Sequence, residues 1–213
     1  MENLKFEDIK KGFDLLKENG FIEEGGRWDH FTTFLQQKES EWQGVIDIMS
    51  EMTIKNALEI GTFGGGSLYT ISQIAADDAT IISIDLHKAM YKSIDVKHKA
   101  FDFLMKESQS LHQINAFSQE DTTLEWAKGN LNGQELDFLF IDGDHSDKGA
   151  GKDFEMYSPL VRDGGIVIFH DIIRAKYSAV DIVWDKLKTQ YEHKEFVEDR
   201  KGNMGVGVLW YKK

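Results

Sequence analysis

Apolar positions in this chain change period near residue 55. Upstream of that point, Phe6, Ile9, Phe13 and Leu16 recur at steps of three and four, predicting a helix over 5–18 that stops at Asn19-Gly20. Glu24-Gly25-Gly26-Arg27 reads as a loop. A longer helix is expected over 29–51, with Phe31, Phe34, Leu35, Trp42, Val45, Ile46 and Met49 supplying its apolar stripe. Downstream, short apolar runs alternate with amphipathic segments. Strands are expected at 56–60, 79–84, 112–115, 137–141 and 166–169, and helices at 67–75, 94–108, 120–129, 148–160 and 176–190. The second strand is apolar almost throughout, as in a strand covered on both faces. Arg162-Asp163-Gly164-Gly165 signals a turn, and the runs 194–198 and 205–211, joined through Lys201-Gly202-Asn203, read as an antiparallel hairpin.

Five consecutive strand-to-helix units predict an α/β fold: a doubly wound, Rossmann-like, mostly parallel seven-stranded sheet with a C-terminal antiparallel hairpin and N-terminal helices. Residues 1–50 are expected to form a helical cap or lid and 51–213 the ligand-binding domain. The chain has 213 residues, 41% of them hydrophobic, and a single proline, which suits one packed domain and excludes a disordered chain. It has no cysteine, so disulfide frameworks and thiolate metal sites are excluded. A formal charge of −12 argues against nucleic acid as a partner. Lys88, Lys92, Lys97 and Lys99 read as a solvated face. With no apolar run long enough for a membrane span and no leader pattern, the expectation is a cytoplasmic protein with no membrane partner. Trp28, Phe31, Phe34 and Trp42 leave three readings open: a homodimer surface, a substrate cap or completion of the core.

Chemistry is expected beyond the carboxyl ends of the strands. Those ends carry Glu59 and Gly61, Asp85, Asn115 to Ser118, Asp142 to His145, and His170 with Asp171. Gly61, Gly64, Gly65 and Gly66 allow a sharp turn or the close approach of a ligand. No lysine follows them as in a triphosphate loop, and Glu59 before the turn would repel a pyrophosphate. Asp85, at the end of the second strand, suits the vicinal hydroxyls of a ribose. A nucleoside ligand is therefore expected. An NAD-dependent oxidoreductase and a catalytically inactive nucleotide-binding module are the alternative readings.

The run Leu58-Glu59-Ile60-Gly61-Thr62-Phe63-Gly64-Gly65-Gly66-Ser67 resembles the first motif of class I S-adenosylmethionine-dependent methyltransferases, and Ile84-Asp85 resembles the acidic end of their second strand. The stretch 136–146, with 160–166 and His170-Asp171, is similar to the small-molecule O-methyltransferase branch. That branch contains catechol and caffeoyl-CoA enzymes and relatives acting on antibiotics and sugars. The resemblance implies methyl transfer from S-adenosylmethionine to a hydroxyl oxygen of a small polar molecule. It places Glu59, Gly61, Thr62, Phe63, Gly65 and Ser67 around the methionyl part of the donor and Asp85 on its ribose. Ala116, Phe117 and Ser118 would border the adenine, with Asp142 and Asp144 completing the donor site. Free N–H groups at the start of the next helix would meet the donor's carboxylate. It further implies a site for Mg²⁺ or another divalent cation at Asp142, His170 and Asp171, where the histidine departs from the oxygen-rich pattern. Without a metal, His145 or His170 is the expected general base, beside Asp142.

Overall fold

The computed structural model describes residues 4–23, 25, 29–87, 90–173, 176, 178–199 and 204–213. Part of the expected loop (Glu24, Gly26 and Arg27), Trp28, Lys88 and the hairpin turn Lys201-Gly202-Asn203 lie outside them. Among the described residues the sheet has seven strands: β1 (Asn56–Ile60), β2 (Thr80–Ile84), β3 (Ser110–Ile114), β4 (Leu136–Ile141), β5 (Val161–Ile173), β6 (Glu192–Phe196) and β7 (Met204–Trp210). Their spatial order is β3-β2-β1-β4-β5-β7-β6. The first five strands are mutually parallel, and β7 runs antiparallel to both β5 and β6. The order reverses between β1 and β4, so the carboxyl ends of those two strands flank the crevice where such sheets take ligands.

The strands at the centre are apolar on both faces because helices cover both faces. On one side lie α1 (Phe6–Glu18), α2 (Phe31–Phe34), α3 (Glu39–Ser50), α4 (Gly66–Ile74) and α5 (Ile94–Leu104). The other side is covered by α6 (Asp121–Leu131), α7 (Asp147–Tyr157) and α8 (Val180–Leu187). The N-terminal helices share the core of the first layer. Trp42 of α3 is fully buried with its ring 5.2 Å from that of Phe140 on β4, and Phe34 is 2% exposed against Tyr69 of α4. Of the three readings of these aromatics, Phe34 and Trp42 therefore complete the core. Glu41, also buried on α3, accepts backbone N–H groups from Glu198 and Gly205, tying the helix to the ends of the β6–β7 hairpin.

Several boundaries differ from expectation, each for a local reason. The expected helix over 29–51 divides into α2 and α3, with Leu35 extended (φ −129°, ψ 122°). The break lets Phe34 and Leu35 lie on the glycine turn, where a Cβ on Gly66 would meet Phe34 O at 2.7 Å. The turn at Arg162–Gly165 is present, but as a bulge inside β5: Leu136 pairs with Val161 and Phe138 with Ile166. Lys97, expected on a solvated face, is 3% exposed. Its ammonium lies 3.3 Å from Asp85 Oδ2 and 5.3 Å from the centre of the Phe101 ring, so its charge is paired rather than solvated.

Candidate active site

A cavity of about 420 Å³ opens beyond the carboxyl ends of β1, β2, β3 and β4, a size usual for small-molecule sites. One wall is the turn after β1. Gly61 takes φ +87°, and a Cβ there would sit 2.0 Å from the Asp142 carbonyl oxygen, so the closeness of the β1 and β4 loops itself demands glycine. Phe63 in the same turn also adopts a left-handed conformation (φ +45°), which costs energy without a glycine. Asp85 holds this turn in place. Its Oδ2 accepts the N–H groups of Thr62 at 2.7 Å and Phe63 at 2.5 Å, and faces the Lys97 ammonium. Its Oδ1 accepts the His87 N–H at 2.6 Å and, with two lone pairs, keeps one for a ligand. Leu86 and Phe117, both well exposed, add apolar surface to the cavity wall.

The donor-site residues expected from sequence fall into two groups. Gly61, Phe63, Asp85, Phe117, Ser118, Asp142 and Asp144 line the cavity, together with Ala116, Gly143 and His145. Glu59, Thr62, Gly65 and Ser67 stand behind the wall as its support. Thr62 Oγ1 and Ser83 Oγ share a hydrogen bond of 2.7 Å, and Gly65 (φ +98°) packs against Phe101. The start of α4 is buried under Phe34 and Leu35. Glu59 is fully buried, with the Ser67 and Thr62 side chains beside its carboxyl. Burial pushes its carboxyl up to about 8, so it carries a proton at neutral pH.

At the far end, the β4 and β5 termini bring two histidines onto two aspartates. His145 Nδ1 lies 2.9 Å from Asp171 Oδ2, and its Nε2 lies 3.2 Å from Asp142 Oδ1. His170 Nδ1 is 3.0 Å from the same Asp142 oxygen. Asp171 reaches this position through a left-handed backbone (φ +60°) in the irregular part of β5. Asp142 Oδ2 accepts from Gln37 Nε2 at 3.0 Å, so the segment between α2 and α3 enters the cluster. The hydrogen bonds to Asp142 and then Asp171 raise His145 to about 10, well above the neutral titration expected of a histidine base. Burial alone would lower His170, but the Asp142 carboxylate raises it. Asp142 is buried, which alone would raise it, yet the two imidazoles hold it below the ordinary carboxylate range.

These distances also test the metal reading of Asp142, His170 and Asp171. Both oxygens of Asp142 are committed to hydrogen-bond partners, and His145 engages both aspartates through its two ring nitrogens. Among the described residues, no group of three or more His, Cys, Asp or Glu side chains is arranged to hold a metal ion. In this arrangement the set forms a chain of imidazole–carboxylate pairs, with His170 Nδ1 also 3.7 Å from Asp171 Oδ1.

Residues absent from the sequence reading complete the site. Gln36 lines the cavity beside the buried Gln37, and both sit in the polar run Gln36-Gln37-Lys38 that interrupts the expected helix. His87 and Gln119 also line it, each one or two positions beyond an expected residue.

A family described as a methyltransferase domain matches residues 58–172, just over half of the chain. Tapetum-specific methyltransferase 1 of Arabidopsis thaliana is 35% identical over 121 residues, covering 56% of this chain and 47% of that protein. A protein of Acanthamoeba polyphaga mimivirus, R132, is 32% identical over 114 residues, covering 54% of this chain and 50% of its own length. The chain thus spans about half the length of the curated relatives it matches. Among solved structures, the O-methyltransferase TomG of Streptomyces achromogenes superposes with a TM-score of 0.63 at 13% identity, covering 100% of this chain and 93% of that one. An O-methyltransferase of Bacillus cereus gives 0.60 at 14% identity, covering 99% and 94%. At these identities the superpositions speak for the fold.

Proposed function

The chain belongs to the methyltransferase-domain family, and from that premise we propose that it transfers the methyl group of S-adenosylmethionine to a hydroxyl oxygen of a small polar molecule. The observation that carries this reading is one cavity in which the wall of Gly61, Asp85 and Phe117 adjoins a histidine held by two aspartates. TomG, solved in complex with S-adenosylmethionine, and the Bacillus cereus enzyme, solved in complex with S-adenosylhomocysteine, support the same reading.

The donor's sulfonium supplies an electrophilic methyl group, so the protein needs few catalytic groups of its own. Asp85 Oδ1 offers an acceptor for a ribose hydroxyl, while its Oδ2 keeps the glycine turn in shape. The Phe117 ring, with Leu86 beside it on the cavity wall, presents apolar surface suited to a base. His145, 38% exposed at its side chain and on the cavity wall, is the group placed to take the proton of an acceptor hydroxyl. It does so in its neutral form, with Nε2, the longer of its two contacts, turned from Asp142 to the acceptor hydroxyl while Nδ1 stays on Asp171, whose carboxylate stabilises the imidazolium that results. His170 is 5% exposed, which suits it to fixing Asp142 rather than to meeting substrate. No step passes through a metal.

The reading is tested by incubating the protein and S-adenosylmethionine with catechols, hydroxylated macrolides and sugars. Product is followed by mass spectrometry and by S-adenosylhomocysteine release. A gain of one methyl group on oxygen, lost in His145→Ala, is the expected result. Methylation that is undiminished in His145→Ala removes the histidine from the chemistry.

A further inference from the structure

Gln37 is 7% exposed, and its Nε2 donates to Asp142 Oδ2 at 3.0 Å. It lies in the short connection between α2 and α3, whose neighbour Gln36 lines the cavity. This connection is anchored on both sides. Before it, Phe34 and Leu35 pack on Gly66 of α4; after it, the buried Glu41 carboxylate accepts the backbone N–H groups of Glu198 and Gly205. An amide held this way is a fixed donor. Packing alone would be served by an apolar side chain of similar length, with no amide to desolvate. What the amide adds concerns the carboxylate it meets. Asp142 Oδ1 is shared by His145 Nε2 at 3.2 Å and His170 Nδ1 at 3.0 Å, while Gln37 occupies Oδ2.

We propose that Gln37 is a positioning residue for proton removal, keeping Asp142 in place while His145 Nε2 turns to the acceptor hydroxyl. A neutral His145 that donates through Nδ1 to Asp171 has no proton on Nε2 to offer Asp142, so the carboxylate loses one of its donors. Gln37 and His170 remain, each on a different oxygen, and together they fix the plane of the carboxylate. Its negative charge then stays beside the ring as the hydroxyl proton reaches Nε2 and the imidazolium forms. Gln37 does not touch the reacting atoms and acts through Asp142 alone. The inference rests on the methyl-transfer reading given above, with His145 as its base.

Steady-state rates on an acceptor that the wild type methylates in the screen above, with calorimetric titration of S-adenosylhomocysteine, test it on the wild-type chain, Gln37→Met and Gln37→Glu. Methionine fills the same space without a donor. Glutamate keeps the shape but sets a carboxylate oxygen against Asp142 Oδ2. At alkaline pH, where both carboxyls are ionised, kcat is expected to fall by about tenfold to a hundredfold in Gln37→Met, the range that one unmet buried hydrogen bond commands, and further in Gln37→Glu. The acceptor KM and the affinity for S-adenosylhomocysteine are expected to stay close to those of the wild type. A side chain that only fills space would give the opposite order, since glutamate is the closer match in shape. An undiminished kcat in folded Gln37→Met overturns the proposal, as does a smaller loss in Gln37→Glu or a loss confined to KM or to donor-site binding. Should Gln37→Glu fail to fold, Gln37→Met decides alone, because its apolar side chain adds no buried charge. A wild type that methylates no acceptor in the screen overturns the methyl-transfer reading itself and this assignment with it.

Discussion

His145 Nδ1 lies 2.9 Å from Asp171 Oδ2, while the other nitrogen of the same ring faces Asp142. A histidine gripped at both nitrogens by carboxylates is charged at neutral pH. It becomes a base only as the solution turns alkaline, through its raised value of about 10. The methyl-transfer rate is therefore expected to climb with pH across the range 7–10. Asp171→Asn removes one of the two carboxylates, and the rising limb should move to lower pH by about 1–3 units. Rate profiles of the two proteins at saturating donor check this; coincident profiles would show that the pair does not govern proton removal.

Chelation gives a second outcome. Asp142, His145, His170 and Asp171 are engaged with one another and with Gln37. Turnover is expected to survive prolonged EDTA dialysis unchanged and to gain nothing from added Mg²⁺ or Mn²⁺. Loss of activity on chelation, restored by a divalent cation, would contradict the donor-set argument.

Glu59 makes stability depend on pH with a definite sign. Its carboxyl is raised from 4.5 to about 8 in the folded protein, so between those values the unfolded chain has released a proton that the folded chain keeps. The unfolded state then binds fewer protons, and stability falls as pH rises through that window. Glu59→Gln keeps the shape of the protonated acid and removes this loss. Its melting temperature should exceed the wild type's at pH 8 by clearly more than at pH 5, as thermal scans at both values would show.

Gly61→Ala puts a methyl group where the Asp142 carbonyl stands, at a residue with φ +87°. The strained backbone alone costs about 1–3 kcal/mol. Because the β1 and β4 loops must also move apart, affinity for S-adenosylhomocysteine should fall further than stability does. Urea unfolding and calorimetry on the same preparation separate the two effects.

Much of the fold was legible because its central strands are buried on both faces. Leu58, Ile82, Leu139 and Val167 sit in near-continuous apolar runs that no solvated strand or amphipathic helix would show. The strand-end acids were legible for the same reason, since each interrupts such a run. What escaped were residues whose roles depend on contacts distant in sequence. Lys97 looks like any surface lysine until α5 is seen to carry it under Asp85. Gln37 reaches Asp142 across 105 positions, and Asp153 reads as an ordinary polar position of an amphipathic helix until Gln119 is placed on it. Glu59 was legible as an unusual acid, but its complete burial is a property of the folded wall alone.

The cavity between Gly61, Asp85, Phe117 and His145 is the proposed methyl-donor site. Calorimetric titration of the wild-type protein with S-adenosylhomocysteine and, separately, with NAD tests it most directly. One-site, micromolar or tighter binding of S-adenosylhomocysteine is expected, weakened in Asp85→Ala, with no binding of NAD. Micromolar binding of NAD with none of S-adenosylhomocysteine would contradict it.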